Sequence, residues 1–132
     1  MSKSGSELEE GGYVQLFVYR VPKKNHDPLQ KLLQDIVKKL KQHGTLRSEF
    51  YSLYSKEAFQ GFTTIASTFA ALPDEEFWVE LDHYKGCDHR DQVMVSLGKD
   101  PGAGALFRQL GPLVSQGYSI VMGELEAMHL DL

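Results

Sequence analysis

The run Asp82-His83-Tyr84-Lys85-Gly86-Cys87-Asp88-His89 gathers carboxylates, imidazoles and a thiol within eight positions. These are the groups that ligate metals, carry protons or attack electrophiles. Zinc asks for ligands at about 2 Å in a near-tetrahedral shell, and local pairs usually stand roughly two to four residues apart for cysteines or three to five for histidines. His83 and Cys87 are compatibly spaced, but Cys87 and His89 are not a familiar pair and no second pair occurs elsewhere. The run therefore implies no metal and no cofactor. His83 is expected to end a strand, Asp88 to cap a helix and His89 to sit in its first turn. Cys87 would lie beside that helix N-terminus, where the macrodipole favours a thiolate. Nucleophilic chemistry would also need His83 or His89 within reach as a base. The sequence does not supply that geometry, so the cysteine is read as a small packing residue.

Other chemical motifs are excluded by context. "GKDPGAG", from Gly98, lacks the Lys-Ser/Thr pair of a phosphate loop and does not follow a strand, so it reads as a loop that breaks the chain. Ser48, Ser52, Ser67 and Ser96 stand outside any nucleophile elbow. The basic run "KKLKQH" at 38–43 lies in a helical pattern of a chain with net charge −4, which points to a solvated helix face and no nucleic-acid partner. No apolar run approaches the roughly 20 residues of a membrane span, so no membrane association is expected. A lone Cys87 excludes an intrachain disulfide and fits a reducing, cytoplasmic location. Residues 1–11 read as a flexible polar tail without the apolar centre of a secretory signal, and 12–132 as a single domain.

The elements that must position these residues follow from periodicity. "YVQLFVYRV", Tyr13 to Val21, alternates Val14, Leu16 and Val18 with Tyr13, Gln15, Phe17 and Tyr19, and ends at Pro22. "FWVELDHY", Phe77 to Tyr84, repeats the asymmetry: Phe77, Val79, Leu81 and His83 oppose Trp78, Glu80, Asp82 and Tyr84. Between them, Asp27 before Pro28 opens a helix whose stripe is Leu29, Leu32, Leu33, Ile36, Val37 and Leu40, stopped at His43 and Gly44. "TLRSEFYSLYS", Thr45 to Ser55, reads as a strand. The stretch at 56–75 fits a short helix within a covering connection. "CDHRDQVMVSLG" reads as a helix capped by Asp88, "ALFRQLGPLV" as a short helix, and "YSIVMGELEAM" as the last strand.

This order is the split βαβ arrangement of an α+β, ferredoxin-like βαββαβ fold with a four-stranded antiparallel sheet, both helices on one face and the other face open. "YVQLFVYRVP", "HGTLR", "EEFWVELDHY", "HRDQV" and "KDP" in that order resemble the YbaA-like proteins, a family of the dimeric α/β-barrel superfamily. The resemblance spans most of residues 12 to 128. It implies a homodimer formed through the open sheet faces, and no established activity. A monomer exposing Tyr13, Phe17, Tyr19, Trp78 and Tyr84 would present a large apolar patch. The ring-bearing face is therefore expected to meet its twin, with Arg20 and Arg47 as partners for Glu80 or Asp82, or with these carboxylates lining a wet cavity.

Relatives in that superfamily, among them cofactor-free oxygenases and isomerases, hold ligands between helices and sheet. By this resemblance Tyr19, Arg47, Trp78, His83 and Tyr84 become ligand-binding candidates, with His83 as a proton acceptor and Arg47 as an anchor for an anionic substrate. Three readings follow. A homodimer binding a small molecule is the first. A small-substrate enzyme of the oxygenase or isomerase type would enclose a cavity containing His83 or Arg47. A protein interaction module would have no such pocket.

Overall fold

A computed structural model of the chain describes residues 12–54, 57–70, 72–115 and 120–130, so the expected tail at 1–11 lies outside the described residues. Strand β1 (Tyr13–Pro22) leads through a single 3-10 turn, Lys23–Asn25, into helix α1 (His26–Gln42). The helix starts one residue before Asp27, which places its charge in the first turn and does not cap it. Asn25 holds the cap position but turns its amide to the Leu113 carbonyl, at 3.1 Å. Leu29, Leu32, Leu33, Ile36 and Leu40 form the buried stripe, while Val37 stays half-buried. These five residues contribute on the order of 10 kcal/mol before chain entropy is subtracted. The stop is as expected. Gly44, at φ +113°, lets Thr45 N–H reach the Leu40 carbonyl at 2.9 Å and Gly44 N–H the Lys41 carbonyl at 3.1 Å.

Strand β2 (Arg47–Ser52) is shorter than the Thr45 to Ser55 reading. The covering connection contains one helical turn, α2 (Ile65–Thr68), whose cap Thr64 accepts from Ser67 N–H at 3.0 Å. Strand β3 (Glu75–Tyr84) then leads into α3 (Cys87–Gly98), where Gly86 holds the cap position and Asp88 lies within the first turn. The "KDPGAG" loop reading is overturned: Asp100 caps helix α4 (Pro101–Arg108), accepting from Gly102 and Ala103 N–H at 2.9 and 3.2 Å. Proline at the first helical position costs no hydrogen bond, so this stretch launches a helix. Strand β4 (Val121–Glu126) closes the sheet, and the earlier part of the expected last strand, 118–119, lies outside the described residues.

The sheet order is β2-β3-β1-β4, antiparallel throughout, as the split βαβ reading requires. One chain makes an open sheet, not a closed barrel.

The register decides which face is covered. Tyr19 stands opposite Trp78, Gln15 opposite Asp82 and Tyr13 opposite Tyr84. Tyr19, Trp78 and Tyr84 pack in one core with Leu33, Ile36 and Leu40 of α1, Val93 and Leu97 of α3, and Ala103 of α4. The ring-bearing face thus lies beneath the chain's own helices, and the expectation that it meets a twin is overturned. The open face is the aliphatic one. It carries Val14, Leu16 and Val18 beside Val79 and Leu81, with Tyr51, Val121 and Leu125 exposed at its edges. The physical reason is that alternation sorts residues into two faces without saying which one meets the helices, and here the rings of Tyr19, Trp78 and Tyr84 pack on the aliphatic stripe of α1.

The connection carrying α2 covers one end of the open face. Phe69 packs against Phe77 at 5.4 Å between ring centroids, and Arg20 donates to the Ala70 carbonyl at 2.8 Å. Arg20, expected to serve Glu80 or Asp82, instead grips Glu75 through Nε and Nη2 at 3.1 and 2.7 Å.

Candidate functional site

Strand alternation puts Glu80 and Asp82, two residues apart, on the same face of β3, and that face lies under the helices. They are 4% and 3% exposed. Their neighbours across the sheet are Phe17 and Gln15 on β1, and Phe50 and Ser48 on β2. Here a cavity of about 270 Å³ opens between sheet and helices. Gln15, Tyr19, Glu80, Asp82 and Tyr84 form its floor, while Leu33, Ile36 and Leu40 of α1, Met94 of α3 and Phe107 of α4 form its roof.

The floor has a defined hydrogen-bond pattern. Tyr19 O–H donates to Glu80 Oε1, and Thr45 Oγ1 donates to the Tyr84 hydroxyl at 3.2 Å. Asp82 Oδ1 is buried with no hydrogen-bond partner among the described residues. Burial, followed by the hydrogen bond and charge of Asp82, pushes Glu80 up to about 9. Burial also raises Tyr84 to about 12, and burial together with Glu80 raises Tyr19. At neutral pH Glu80 therefore holds a proton that it can donate, beside a carboxyl oxygen free to accept one. This pairing of a held proton with an open acceptor is what general acid–base chemistry needs.

The structure brings only some of the sequence-derived candidates together. Tyr19 and Tyr84 lie in the cavity. Trp78 is buried on the same face but farther along, where its Nε1–H donates to Glu76 Oε1 at 2.8 Å and His26 meets its ring edge-on at 5.1 Å. It lines a separate, more open cleft of about 620 Å³ between α1 and β2. His83 and Arg47 are on the opposite, open face. His83 Nε2 lies 2.6 Å from Glu49 Oε1, and the exposed Arg47 places Nε 3.9 Å from Glu49 Oε2. The sheet itself separates them from the cavity, so a site built on His83 and Arg47 with Tyr19 and Tyr84 does not form.

The sequence reading missed Gln15, and it considered Glu80 and Asp82 for an interface or a wet cavity without naming them as site residues. The signal was present in the two carboxylates on one face of a strand, which are costly to bury unless something meets them. The run 82–89, by contrast, disperses. Asp82 points under the helices, His83 to the open face, and His89 Nδ1 accepts from Lys85 N–H at 2.9 Å. Cys87, Asp88 and Asp91 are exposed, and Arg90 donates to Asp91 at 2.7 Å and to Cys87 Sγ at 3.7 Å.

A second polar cluster has the outline of a hydrolase triad. Ser96 Oγ lies 2.5 Å from His43 Nδ1, and His43 Nε2 lies 2.8 Å from Asp100 Oδ2. Ser96 stands in the last turns of α3, where backbone carbonyls and not N–H groups are unpaired, so the helix end offers no donors for an oxyanion. Asp100 is further occupied by Lys39 Nζ at 3.0 Å and by the first N–H groups of α4. His43 and then Lys39 hold its carboxyl well below the usual range. The cluster ties α1, α3 and α4 together.

With this geometry in view, solved structures can be compared with the chain, and eight of their chains match it. The crystal structure of a dimeric ferredoxin-like protein from an uncultured marine organism matches with a TM-score of 0.61 at 10% identity, over 96% of this chain and 96% of that one. The fold is ferredoxin-like. No family model matches the chain, and no curated protein matches it. The YbaA-like resemblance thus rests on its motifs alone. Among the described residues no helix is long and apolar enough to cross a membrane.

Proposed function

We propose that the chain is a homodimer that holds a small molecule in the chamber between helices and sheet, with Glu80 and Asp82 as its polar contacts. The observation that carries this reading is the buried carboxyl pair opening into a 270 Å³ cavity, with one oxygen left without a partner among the described residues. Native proteins rarely leave such an atom unpaired. A cavity that is mainly apolar with a few convergent polar groups is the usual form of a small-molecule site.

Dimerisation is supported by the composition of the open face. Val14, Leu16, Val79 and Leu81 are half-buried around the buried Val18, and with the exposed Tyr51, Val121 and Leu125 they form an apolar surface that none of the helices α1, α3 and α4 covers. Soluble monomers seldom leave such a surface in water. The similar marine protein is described as dimeric. Pairing two open faces would give the α/β-barrel assembly, with the chambers on its outer side beneath the helices.

Within this reading, proton transfer on a small substrate is favoured over oxygenase chemistry by the placement of two buried carboxyls side by side, Glu80 bonded to Tyr19 and Asp82 Oδ1 without a partner among the described residues. That is the donor and acceptor arrangement an isomerase-type step requires. The acid–base residues are then Glu80 and Asp82, in place of His83 and Arg47.

The test is a thermal-shift screen of small neutral, anionic and cationic fragments. At least one is expected to raise the Tm of the wild type and to lose that effect in Ile36→Phe, which fills the chamber from its roof. If no fragment of any charge class shifts the wild type, the chamber is not a binding site.

A further inference from the structure

Resting on the chamber reading above, the geometry points to a narrower ligand class: a small organic cation, an ammonium group on an apolar or aromatic body, hydrogen-bonded to Asp82 Oδ1.

Charge complementarity carries this. Two carboxyl groups this close do not both ionise, so the pair keeps one proton and carries one negative charge. Among the described residues no ion pair reaches Glu80 or Asp82. Arg20 grips Glu75 and Arg47 approaches Glu49, both from the open face. Arg90, on α3, lies near enough to favour the Tyr84 phenolate but is paired with Asp91 and Glu124. Lys39, on α1, is held by Asp100.

Each element around the chamber adds to the same balance. From β1 come Gln15 and Tyr19, from β3 Glu80, Asp82 and Tyr84, and from β4 Met122, while Glu124 outside the lining accepts from Gln15 Nε2 at 3.5 Å. The helices contribute only apolar side chains to the roof. A buried negative charge walled in by Leu, Ile, Met and Phe is strongly unfavourable unless a cation or several donors meet it. The protein supplies the Tyr19 hydroxyl to Glu80 and a hydrogen bond between Glu80 and Asp82, but no donor among the described residues reaches Asp82 Oδ1, and Ser48 Oγ on the neighbouring strand is buried without a partner among them as well.

Shape agrees with charge. A dry apolar cavity of about 150 Å³ accepts benzene. The 270 Å³ here therefore takes a single ring with a short polar arm. An ammonium at Asp82 would lie beside the rings of Tyr19 and Tyr84, whose faces attract cations. An anionic ligand would meet like charge, and a neutral alcohol would supply one hydrogen bond while leaving the charge uncompensated.

The experiment uses three compounds of one shape: benzylamine, benzyl alcohol and benzoate. Each is titrated at pH 7 into the full chain and followed by amide NMR. Benzylamine, protonated at this pH, is expected to bind at least about tenfold more tightly than benzyl alcohol, with benzoate not binding. The Gln15 and Tyr84 amides should move. Asp82→Asn should weaken benzylamine by about tenfold or more and leave benzyl alcohol within about twofold. Benzyl alcohol binding as tightly as benzylamine, or benzylamine unaffected by Asp82→Asn, overturns the cation assignment and leaves the chamber reading standing. Shifts confined to Asp88 and Asp91 overturn it as well, since they place the amine on the exposed acidic surface. No binding by any of the three overturns it too, and the fragment screen then decides whether the chamber itself survives. If Asp82→Asn does not fold, the ranking of the compounds on the wild type decides alone.

Discussion

Along β1 and β3 the side chains alternate between two faces that differ in an unexpected way. One carries Val14, Leu16, Val18, Val79 and Leu81, the composition of a core, and has no helix layer over it. The other carries Gln15, Tyr19, Glu80 and Asp82, closer to the composition of a surface, and lies beneath α1, α3 and α4. Hydropathy alone would reverse the two. The aliphatic face has no polar atoms to satisfy and can pair with any apolar surface, including its own copy. The polar face makes sense only if its groups meet one another, as Tyr19 and Glu80 do, or meet something else, as Asp82 Oδ1 requires. On the proposed reading, one side of the sheet serves assembly and the other ligand chemistry.

The most disruptive way to break this contrast is to put a charge on the aliphatic side. Val79→Glu, at the centre of the open face, should weaken dimerisation about a hundredfold or more, on the order of 3 kcal/mol, by burying an unpaired carboxylate in the interface. Sedimentation equilibrium should show a folded monomer with an unchanged far-UV spectrum. A variant that dimerises like the wild type would mean that the partner sits elsewhere.

Removing a titrating carboxyl from the covered side should have the opposite sign, and pH exposes it. Burial and then Asp82 push Glu80 up to about 9 in the fold, far above the usual carboxyl value of about 4.3. Between those values the native chain keeps a proton that the unfolded chain has released. Its contribution to stability is thus fully present below about pH 4 and is lost progressively as pH rises towards 9, at a limiting slope of about 1.4 kcal/mol per pH unit. Glu80→Gln removes the titrating group while its Oε1 still accepts from Tyr19. The variant should be more stable than the wild type at pH 8.5, by a few kcal/mol, with the difference shrinking towards pH 5 and vanishing near pH 4. Urea unfolding across this range is the measurement, and parallel pH profiles would show that Glu80 does not carry the proton.

Much of the fold was legible because local signals and global topology agree. The 3.6 period of Leu29 to Leu40, the glycine stop at Gly44 and the alternation of β1 and β3 each have one cheap structural solution. The alternation sorted the residues of the sheet into two sets correctly. Which set faces the helices is not a local property, because it depends on the handedness and packing of the whole unit, and period two is blind to it. That is why Tyr19 and Tyr84 were found while Glu80 and Asp82 were assigned to an interface, and why His83 and Arg47 were drawn to a pocket from which the sheet separates them. The Asp100 cap escaped notice because glycines at 102 and 104 read as a loop, although the first turn of a helix tolerates them.

The smallest effect belongs to the cluster in which every charge has a partner, and it sharpens the contrast with the chamber. Asp100 accepts from His43, Lys39, Gly102 and Ala103, and its carboxyl is held below the usual range, so its stabilisation is present above about pH 4 and is lost as pH falls further. Asp100→Asn should therefore lower the Tm by a few degrees at pH 7, with the deficit closing in acid, where the wild type loses the same charge. At the same pH 7, Glu80→Gln should raise the Tm. Opposite signs for two removals of a carboxyl would separate a cluster built to hold helices together from one that awaits a ligand. A gain from Asp100→Asn would mean that His43 and Ser96 are under-satisfied as well, and the triad outline would then need to be tested as a site.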